Sequence, residues 1–220
     1  MFSDWRQIVF SIGEKALKLL NKMVLIGFLL FNFNAKAEEF RFGISGGLNF
    51  ADVGDYSADV AQAIANATGS TTTYAYDRAT WGGRIFGEYD LGSGLSIEAG
   101  YFLTGDIDIN YTIPGASASE AFSGSGLDFA GKYTFPEENI YVKAGLHDSS
   151  LNYASSITIG GTNVNLGTIE TEGTGGLFGI GYIIETKEDG SSSFVGYDLY
   201  SSVGGVSDAD FGYLYYGLSF

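Results

Sequence analysis

Apolar and polar residues alternate along most of the chain with a period of two, which is typical of β-strands. The last ten residues illustrate the pattern. One face carries Phe220, Leu218, Tyr216, Leu214 and Gly212, and the other carries Ser219, Gly217, Tyr215, Tyr213 and Phe211. A tilted strand of about ten residues with an apolar face and aromatics near its ends can cross the hydrocarbon core of a membrane. The segment therefore predicts a membrane-spanning strand, although an edge strand of a soluble sheet would show the same alternation.

Seven earlier segments repeat this alternation. Together with the last one, they predict strands over residues 40–50, 80–89, 95–113, 121–135, from 140 onward, 173–185, 192–202 and 211–220. Residues 51–79 and 114–120 are predicted loops, the first with a helical turn around residues 59–67. The pair Gly160-Gly161 predicts the tip of a hairpin that extends the fifth strand.

The predicted connections alternate between long and short, apart from a brief last loop on the long side. An even number of strands with short turns at one end and longer loops at the other is the rule for barrels of the bacterial outer membrane. Charged residues also share a face with glycines, whereas a lipocalin-type barrel would turn its charges outward and a soluble sandwich would bury its apolar face. The sequence therefore predicts an all-β fold, an eight-stranded antiparallel up-and-down transmembrane β-barrel.

Residues 1–37 differ in composition from the rest of the chain. They hold the bases Arg6, Lys15, Lys18 and Lys22, then an apolar run over residues 23–33, and they end in Ala35-Lys36-Ala37. These are the parts of a secretory signal peptide that is cleaved after Ala37. As a helix, the apolar run would reach only about 16 Å across a hydrocarbon core of about 30 Å. We therefore predict a signal peptide over residues 1–37 and an outer-membrane barrel domain over residues 38–220.

Without this leader the chain is strongly acidic, with six basic and 24 acidic residues and a net charge of −18. Such a surface would repel a phosphate backbone, and no basic stripe offsets it, so a nucleic-acid partner is excluded. The chain has no cysteine, which excludes disulfides and thiolate metal sites. Its 17 Phe and 15 Tyr are atypical of disordered segments and favour a folded β protein.

Nine charged residues fall on the face that is predicted to point inward. They are Arg41, Arg84, Glu88, Glu98, Asp128, Lys132, Lys143, Glu185 and Asp198. A charge inside a narrow barrel is costly unless it is paired, so we predict a network of ion pairs that fills the lumen. The alternative is a gated ion path, with Arg84 and either Glu88 or Glu98 as the pair to test first. An eight-stranded barrel is just wide enough for side chains to fill, which disfavours an open pore.

The single histidine, His147, forms an H-x-S pattern with Ser149 on one face of the fifth strand. The pattern resembles that of the outer-membrane lipid A deacylases, whose His-Ser pair acts by nucleophilic attack. The register points His147 inward, however, whereas such an enzyme must present the pair to the membrane. No acidic residue is evident that would orient the histidine. We therefore predict no catalytic residue and no cofactor.

Two groups of polar residues could bind divalent cations that also bridge lipopolysaccharide. They are Asp106, Asp108 and Asn110, and Asp52, Asp55 and Asp59. Neither group has the spacing of a calcium loop, so we interpret them as a solvated acidic rim and predict no metal site. The glycines of residues 43–47 and 179–183 precede no helix that could complete a phosphate-binding loop. We interpret them as small residues that let inward aromatics pack.

The chain resembles the small eight-stranded outer-membrane barrels of Gram-negative bacteria that are related to the OmpA transmembrane domain and OmpX. The resemblance covers residues 38–220 and depends on the leader, the strand count, the segments VKAGLHDSS (142–150) and GIGYIIE (179–185), and the last strand. It implies a location in the outer membrane among lipids and lipopolysaccharide. The ending YYGLSF also resembles the signal that the barrel-assembly machinery reads, which implies contacts from Tyr216, Leu218 and Phe220.

These observations predict a non-enzymatic integral outer-membrane protein with a structural role in the envelope and with surface-exposed loops. One alternative is an adhesin or ligand-binding barrel, in which the first loop and the hairpin around Gly160-Gly161 contact host surfaces or phage. A small gated diffusion channel is the other alternative. The composition of loops carries polarity but no pocket geometry, so the sequence does not identify a ligand.

Overall fold

A computed structural model of the chain describes residues 40–135 and 137–220, and the predicted signal peptide lies outside them. These residues form ten strands, one α-helix and one short 3₁₀ turn. In chain order the elements are β1 (Phe40–Ala51), α1 (Gly54–Thr68), β2 (Thr73–Tyr76), β3 (Thr80–Gly92), β4 (Leu95–Thr104), β5 (Ile107–Ile113), β6 (Ala116–Phe135), β7 (Ile140–Ile159), β8 (Thr162–Thr186), β9 (Ser192–Tyr200), the 3₁₀ turn (Val203–Gly205) and β10 (Phe211–Ser219).

Eight of these strands form a closed antiparallel ring. The order around the ring is β1, β3, β4, β6, β7, β8, β9 and β10, and β10 pairs with β1 from Gly43 opposite Ser219 to Ala51 opposite Phe211. Phe42 and Phe220 extend this closure by exchanging two backbone hydrogen bonds of 2.9 and 2.8 Å. A closed ring leaves no sheet edge within the barrel wall. The predicted eight-stranded antiparallel barrel is confirmed.

The third predicted strand, residues 95–113, is not continuous. It divides into β4 and β5 on either side of Gly105 and Asp106, where the Gly105 N–H donates to the carbonyl of Trp81 at 2.9 Å. The loop predicted over residues 114–120 is also wrong. Pro114 and Gly115 form a two-residue turn in which Gly115 has φ 80°, and β6 begins directly afterwards at Ala116. Proline and glycine are the residues that such a turn needs.

The long first connection folds into more structure than predicted. The predicted helical turn is a fifteen-residue helix, α1, which ends where Gly69 takes the left-handed conformation with φ 64°. Glycine adopts this conformation at little cost and commonly ends helices. After it, β2 pairs with β5, and β5 pairs with residues 116–122 of β6.

The β7–β8 hairpin reaches the predicted tip, but β8 is longer than predicted. Its tip is the predicted pair Gly160-Gly161, with φ 57° and 82°, as a tight two-residue turn requires. β8 begins at Thr162 rather than at residue 173, because it pairs with the whole of β7 apart from one bulge near Ser155 and Ser156.

The connections define two ends of the barrel. The turn end carries the short turns at residues 93–94, 137–139 and 187–191, and the loop end carries the other connections. We call the part of the sheet beyond the barrel at the loop end the wing. It comprises α1, β2, β5 and residues 116–124, 150–159 and 162–173 of β6, β7 and β8.

The outer face of the barrel is apolar. Large exposed side chains include Phe42, Ile44, Leu48, Trp81, Ile85, Phe129, Leu146, Phe178, Ile180, Leu214 and Tyr216. A continuous apolar surface of this kind is unfavourable in water and is what a hydrocarbon surrounding requires.

None of the described helices is long and apolar enough to cross a membrane.

The inside of the barrel is filled by aromatic and charged side chains. Buried aromatics include Phe86, Phe102, Tyr141, Phe194, Tyr200, Phe211, Tyr213 and Tyr215. Glycines on facing strands make room for them: a side chain at Gly43 would collide with the Phe86 ring, and one at Gly181 with the Tyr141 ring. The predicted role of the glycines in residues 43–47 and 179–183 is confirmed at these two positions.

Candidate functional site

Arg84 on β3 lies at the centre of the charges inside the barrel. Its guanidinium donates to both carboxylate oxygens of Asp128 on β6, at 2.9 and 2.6 Å, and to Glu98 on β4 at 2.9 Å. A planar guanidinium matches a carboxylate in this two-pronged geometry, which is among the strongest charged contacts in proteins. All three side chains are almost completely shielded from solvent. Arg84 therefore joins its own strand, β3, to β4 and β6 inside the lumen.

Glu98 collects two further cations. Lys132 Nζ lies 3.0 Å from one of its oxygens, and Lys143 Nζ lies 3.5 Å from the other. Lys143 also contacts Asp198 on β9 at 2.7 Å. Because each of these residues lies on a different strand, the contacts bridge the lumen from β4 to β9.

The network continues toward the turn end. Lys132 contacts Glu88 at 2.6 Å, and Glu88 contacts Arg41 at 3.2 Å. Arg41 lies at the rim, where it also approaches Asp90 at 3.6 Å. The structure therefore joins eight of the nine residues predicted to point inward. We call these eight the lumen network: Arg41, Arg84, Glu88, Glu98, Asp128, Lys132, Lys143 and Asp198.

The lumen network is electrically balanced. It holds four cations and four carboxylates in one continuous series of contacts. Buried charges are tolerated when they are paired and their hydrogen-bonding groups are satisfied. The network can therefore occupy the interior of the barrel without a net buried charge.

Glu185 is the exception, and its predicted inward position is wrong. A bulge between Ile183 and Glu185 shifts the pairing of β8 with β9, so that Glu185 lies opposite Ser193. Ser193 in turn lies opposite Leu218, whose side chain is exposed on the outer face. Since paired residues share a face, one extra residue is enough to move Glu185 to the outside.

Sequence reasoning missed the tyrosines that complete the network. Tyr200 donates to Asp128 at 3.3 Å, Tyr215 donates to Asp198 at 3.0 Å, and the hydroxyls of Tyr141 and Tyr215 are 3.0 Å apart. Each of these tyrosines occupies a position that alternation assigns to the inward face of its strand. Alternation places them on the inward face, but it does not identify the carboxylate or hydroxyl that each one contacts.

A cavity of about 250 Å³ occupies the turn-end half of the lumen. It is lined by members of the lumen network and by residues such as Phe86, Ser96, Tyr141 and Phe194. Toward the loop end the interior is solid. The rings of Phe102 and Tyr200 lie 4.2 Å apart directly beside the Arg84 and Asp128 pair, and Leu177 is fully buried. The described side chains therefore close the lumen between the cavity and the loop end.

The short last loop closes the mouth of the barrel at the loop end. We call residues 201–205 the cap segment. Gly204 N–H donates to Ser149 Oγ at 3.0 Å, and His147 Nε2 lies 2.9 Å from the carbonyl oxygen of Ser201. Val203 is completely buried beneath this loop. The brevity of the loop therefore reflects a role in closing the barrel.

His147 and Ser149 serve this cap. His147 Nδ1 lies 3.0 Å from Ser149 Oγ, and both side chains are buried inside the barrel, as the predicted register of His147 requires. Asp128 lies opposite His147 on the neighbouring strand β6, but its carboxylate contacts Arg84 and Tyr200. The pair is therefore held by the cap segment and presents no nucleophile to the membrane.

The wing has a core of its own. α1 lays Ala61 against Ile109 and Tyr111 of β5, and Tyr56 contacts the Phe122 ring edge-on with centroids 5.6 Å apart. Ile109 is completely buried. The wing is therefore a folded part of the molecule rather than a set of separate loops.

A carboxylate at the centre of the wing is held by tyrosines. Glu120 accepts hydrogen bonds from Tyr153 at 2.6 Å and from Tyr111 at 3.0 Å. Burial, together with the hydrogen bond to Glu120, raises the pKa of the Tyr111 and Tyr153 hydroxyls well above the ordinary range. Burial and the nearby Glu120 charge also raise the pKa of Tyr56. The cluster ties α1 to β5, β6 and β7.

The acidic residues predicted to form a rim lie in the wing and in the connections that precede α1 and β5. The pKa of Asp108 is raised by burial and by the nearby charges of Asp77 and Asp106. Among residues 40–135 and 137–220, no group of three or more potential ligands is arranged to hold a metal ion.

α1 covers only part of the inner face of the wing. The face continues across β7 and β8, where Val164 lies opposite Ile157 and Ile169 lies opposite Tyr153. The side chains of Val164, Leu166 and Ile169 are exposed by 47%, 64% and 62%. The β8 half of the wing therefore presents apolar side chains to water, outside the apolar band of the barrel.

The residues predicted as an assembly signal lie together on the outer face at the turn end. Tyr216, Leu218 and Phe220 are all exposed. They border a groove beside the β8–β9 turn. Their recognition by the assembly machinery stays a prediction.

No family model and no curated protein sequence matches this chain. Among solved structures, the attachment invasion locus protein Ail of Yersinia pestis, in complex with the heparin analogue sucrose octasulfate, aligns with 83% of this chain and 99% of its own at a TM-score of 0.45 and 10% identity. Neisserial surface protein A aligns with 83% of this chain and 96% of its own at a TM-score of 0.34 and 14% identity. The outer membrane protein OprG from Pseudomonas aeruginosa gives the same coverages at a TM-score of 0.41 and 9% identity. These are likenesses of fold alone.

The chain's own geometry defines its class. A closed ring of eight antiparallel strands, an apolar outer face and a charged interior are the features of a barrel of the bacterial outer membrane. The predicted outer-membrane barrel is confirmed, and the narrower likeness to OmpA and OmpX stays a prediction.

Proposed function

We propose that this protein is a non-enzymatic outer-membrane barrel whose wing binds extended, cationic polypeptide segments outside the cell. The observation that carries the proposal is the uncovered β8 half of the wing, with Val164, Leu166 and Ile169 exposed. An apolar patch that is exposed to water, outside the membrane, commonly marks a surface that binds another molecule.

The lumen network supports the structural part of this function. Four cations and four carboxylates bridge the strands, and the cap segment closes the loop end, so the barrel can serve as a rigid anchor. The closed lumen argues against the diffusion channel. Charge reversal at Arg84 with single-channel conductance as the readout remains the direct test of that alternative.

The orientation follows from the lengths of the connections. Short turns of outer-membrane barrels face the periplasm and longer loops face outward. The wing and the cap segment therefore lie on the outer side, where a partner from outside the cell can reach them.

The acidic surface at the loop end favours a cationic partner. Its connections carry the single base Arg78 and eleven acids: Asp52, Asp55, Asp59, Asp77, Asp106, Asp108, Glu120, Glu170, Glu172, Asp208 and Asp210. Such a surface attracts cationic chains and repels a second copy of itself. A cationic partner with apolar side chains at alternate positions would match both the charge and the exposed apolar face.

The geometry of β8 favours an extended partner. β9 pairs with β8 only from Leu177 onward, so among the described strands residues 162–169 have β7 on one side and no strand on the other. An unpaired edge can accept the backbone of another strand, while alternate side chains determine specificity. The bulge at Leu166 interrupts this edge, so the partner is expected to contact the stretch toward the hairpin tip.

A binding experiment with the folded barrel in lipid nanodiscs tests the proposal. The probes are a twelve-residue peptide that alternates lysine and valine and a matched peptide that alternates glutamate and valine. We expect the lysine peptide to bind, and to bind about tenfold more weakly at 0.5 M than at 0.05 M salt, because exposed charges are screened. Binding of the glutamate peptide with equal affinity would contradict the proposed charge selection.

Val164→Asn provides the site-specific test, with Val206→Asn as its control. Both valines are exposed at the loop end, but Val206 lies outside the wing. We expect Val164→Asn to weaken binding of the lysine peptide about threefold or more and Val206→Asn to leave it unchanged. Equal effects of the two substitutions would place the binding surface elsewhere.

A further inference from the structure

We propose that a groove at the turn end binds the headgroup of a zwitterionic phospholipid that carries a primary ammonium, such as phosphatidylethanolamine. The groove has a volume of about 360 Å³ and lies where β8, β9 and β10 end. It is separate from the wing, so it does not depend on the proposed function.

Position is the first argument. One wall of the groove is formed by Tyr216, Leu218 and Phe220, which belong to the apolar outer face and are 50%, 44% and 67% exposed. The other wall is the polar β8–β9 turn, which contains Lys187 and Asp189. A groove with apolar residues on the barrel side and charged residues at the rim lies where acyl chains meet their headgroups.

The β8 bulge supplies the second argument. Without it, strict alternation would point Glu185 into the lumen together with Leu177 and Gly179. The bulge at Ile183 and Glu185 instead pairs Glu185 with Ser193 and places it among the groove residues. Bulges commonly re-aim a side chain at functional positions.

The charged side chains of the groove give the third argument. Within the described residues, neither Glu185 nor Lys187 forms a direct ion pair or a side-chain hydrogen bond. The third charged residue, Asp189, is already engaged: it accepts from the Ser191 N–H at 3.0 Å and from the Ser191 hydroxyl at 2.6 Å. These hydrogen bonds, together with the nearby charge of Lys187, hold the pKa of Asp189 below its usual value. One carboxylate and one ammonium of opposite sign, two residues apart, therefore remain for a ligand.

The chemistry of the two free charges selects a zwitterion. Lys187 can contact a phosphate oxygen, and the Glu185 carboxylate can accept a hydrogen bond from an ammonium group. Phosphatidylethanolamine carries both groups. Phosphatidylcholine has no N–H to donate, and phosphatidylglycerol has no cation for Glu185. The groove is therefore expected to discriminate between these three lipids.

Native mass spectrometry of the folded barrel, released from detergent with each of the three lipids, tests the proposal. We expect the barrel to retain one phosphatidylethanolamine with about fivefold higher affinity than either other lipid. A difference of this size corresponds to one charge-assisted hydrogen bond at a solvated rim. Glu185→Gln is expected to remove the preference over phosphatidylcholine. Lys187→Gln is expected to weaken retention of all three lipids.

Glu188→Gln is the matched control, because Glu188 lies in the same turn but does not line the groove. It removes one acid, as Glu185→Gln does, and should leave the lipid preference unchanged. The proposal is overturned if the unaltered barrel retains the three lipids equally, or if Glu188→Gln reduces the preference as much as Glu185→Gln does. The electrophoretic mobility shift on heating, compared between variants, confirms that each barrel is folded.

Discussion

The barrel and the wing hold their shielded carboxylates in different ways. In the lumen, Glu98 and Asp128 are neutralised by Arg84 and two lysines. In the wing, Glu120 is held by tyrosine hydroxyls, and none of its hydrogen bonds comes from a cation. In the lumen, cations therefore neutralise the carboxylates. In the wing, the hydroxyls stabilise the Glu120 carboxylate by hydrogen bonding, and its negative charge is not neutralised.

The distribution of basic residues explains the difference. From residue 38 onward the chain has six basic residues, and four of them belong to the lumen network. Only Arg78 and Lys187 remain for the surface. The wing must therefore hold its partly buried Glu120 with neutral donors, and its surface remains acidic. Because the lumen network takes up most of the basic side chains, the surface of the wing keeps a net negative charge, which would attract a cationic partner.

The largest expected effect is a difference in stability between substitutions inside the lumen and at its rim. Arg84→Met leaves Asp128 and Glu98 buried without their strongest partner, and we expect it to lower the free energy of unfolding by about 3–5 kcal/mol. Arg41→Met removes a partly exposed arginine at the rim and should cost less than about 1 kcal/mol. Urea titration of the two variants in lipid vesicles measures the difference. Similar losses would contradict the view that burial of the network determines its contribution.

A smaller and more local effect is expected from the core of the wing. Ile109→Ala removes a fully buried side chain beneath α1 and should destabilise the wing by about 2–4 kcal/mol. Ile113→Ala, at the less buried end of the same strand, is the control. Hydrogen exchange followed by mass spectrometry should show faster exchange in α1 and β5 but unchanged exchange in β9 and β10. Faster exchange throughout the barrel would show that the wing and barrel unfold as one unit.

The smallest expected effect concerns pH. Tyr111 and Tyr153 keep their protons in the folded wing above pH 10, where an unfolded tyrosine loses them, because their pKa values are raised. Their contribution is therefore complete below about pH 10 and falls as the pH rises further, since the unfolded state then binds fewer protons. Exchange in α1 should accelerate above pH 10 at a lower pH than exchange in β4.

Glu120→Gln sharpens this last test. Removing the negative charge lowers the folded-state pKa of both tyrosines toward the ordinary value, so the fall in wing stability above pH 10 should become shallower. The variant should also lose about 1 kcal/mol at neutral pH, because an amide accepts weaker hydrogen bonds than a carboxylate. An unchanged pH dependence would exclude Glu120 as the cause.

The barrel was far more predictable from the sequence than the wing. Alternation correctly assigned Arg84, Glu98 and Asp128 to the lumen, because the face of a residue within an unbroken strand depends only on its parity. In the wing, β5 and the hairpin tip at Gly160-Gly161 were predicted. Much of the rest escaped prediction because its strands are rich in serine, threonine and alanine, as in residues 116–124, where no apolar face marks the period. The two tyrosines that hold Glu120 come from β5 and β7, so no single segment carries the signal of their cluster.

The sequence by itself determined the number of barrel strands, the inward face and the acidity of this protein, because each depends on local pattern or composition. Only the tertiary structure decided which charges meet, where β8 bulges and how the last loop enters the barrel. Pairing between distant strands sets these features, and a single extra residue moved Glu185 from the lumen to the outer groove. A bulge is a property of two strands in register, and the sequence of one strand does not contain it.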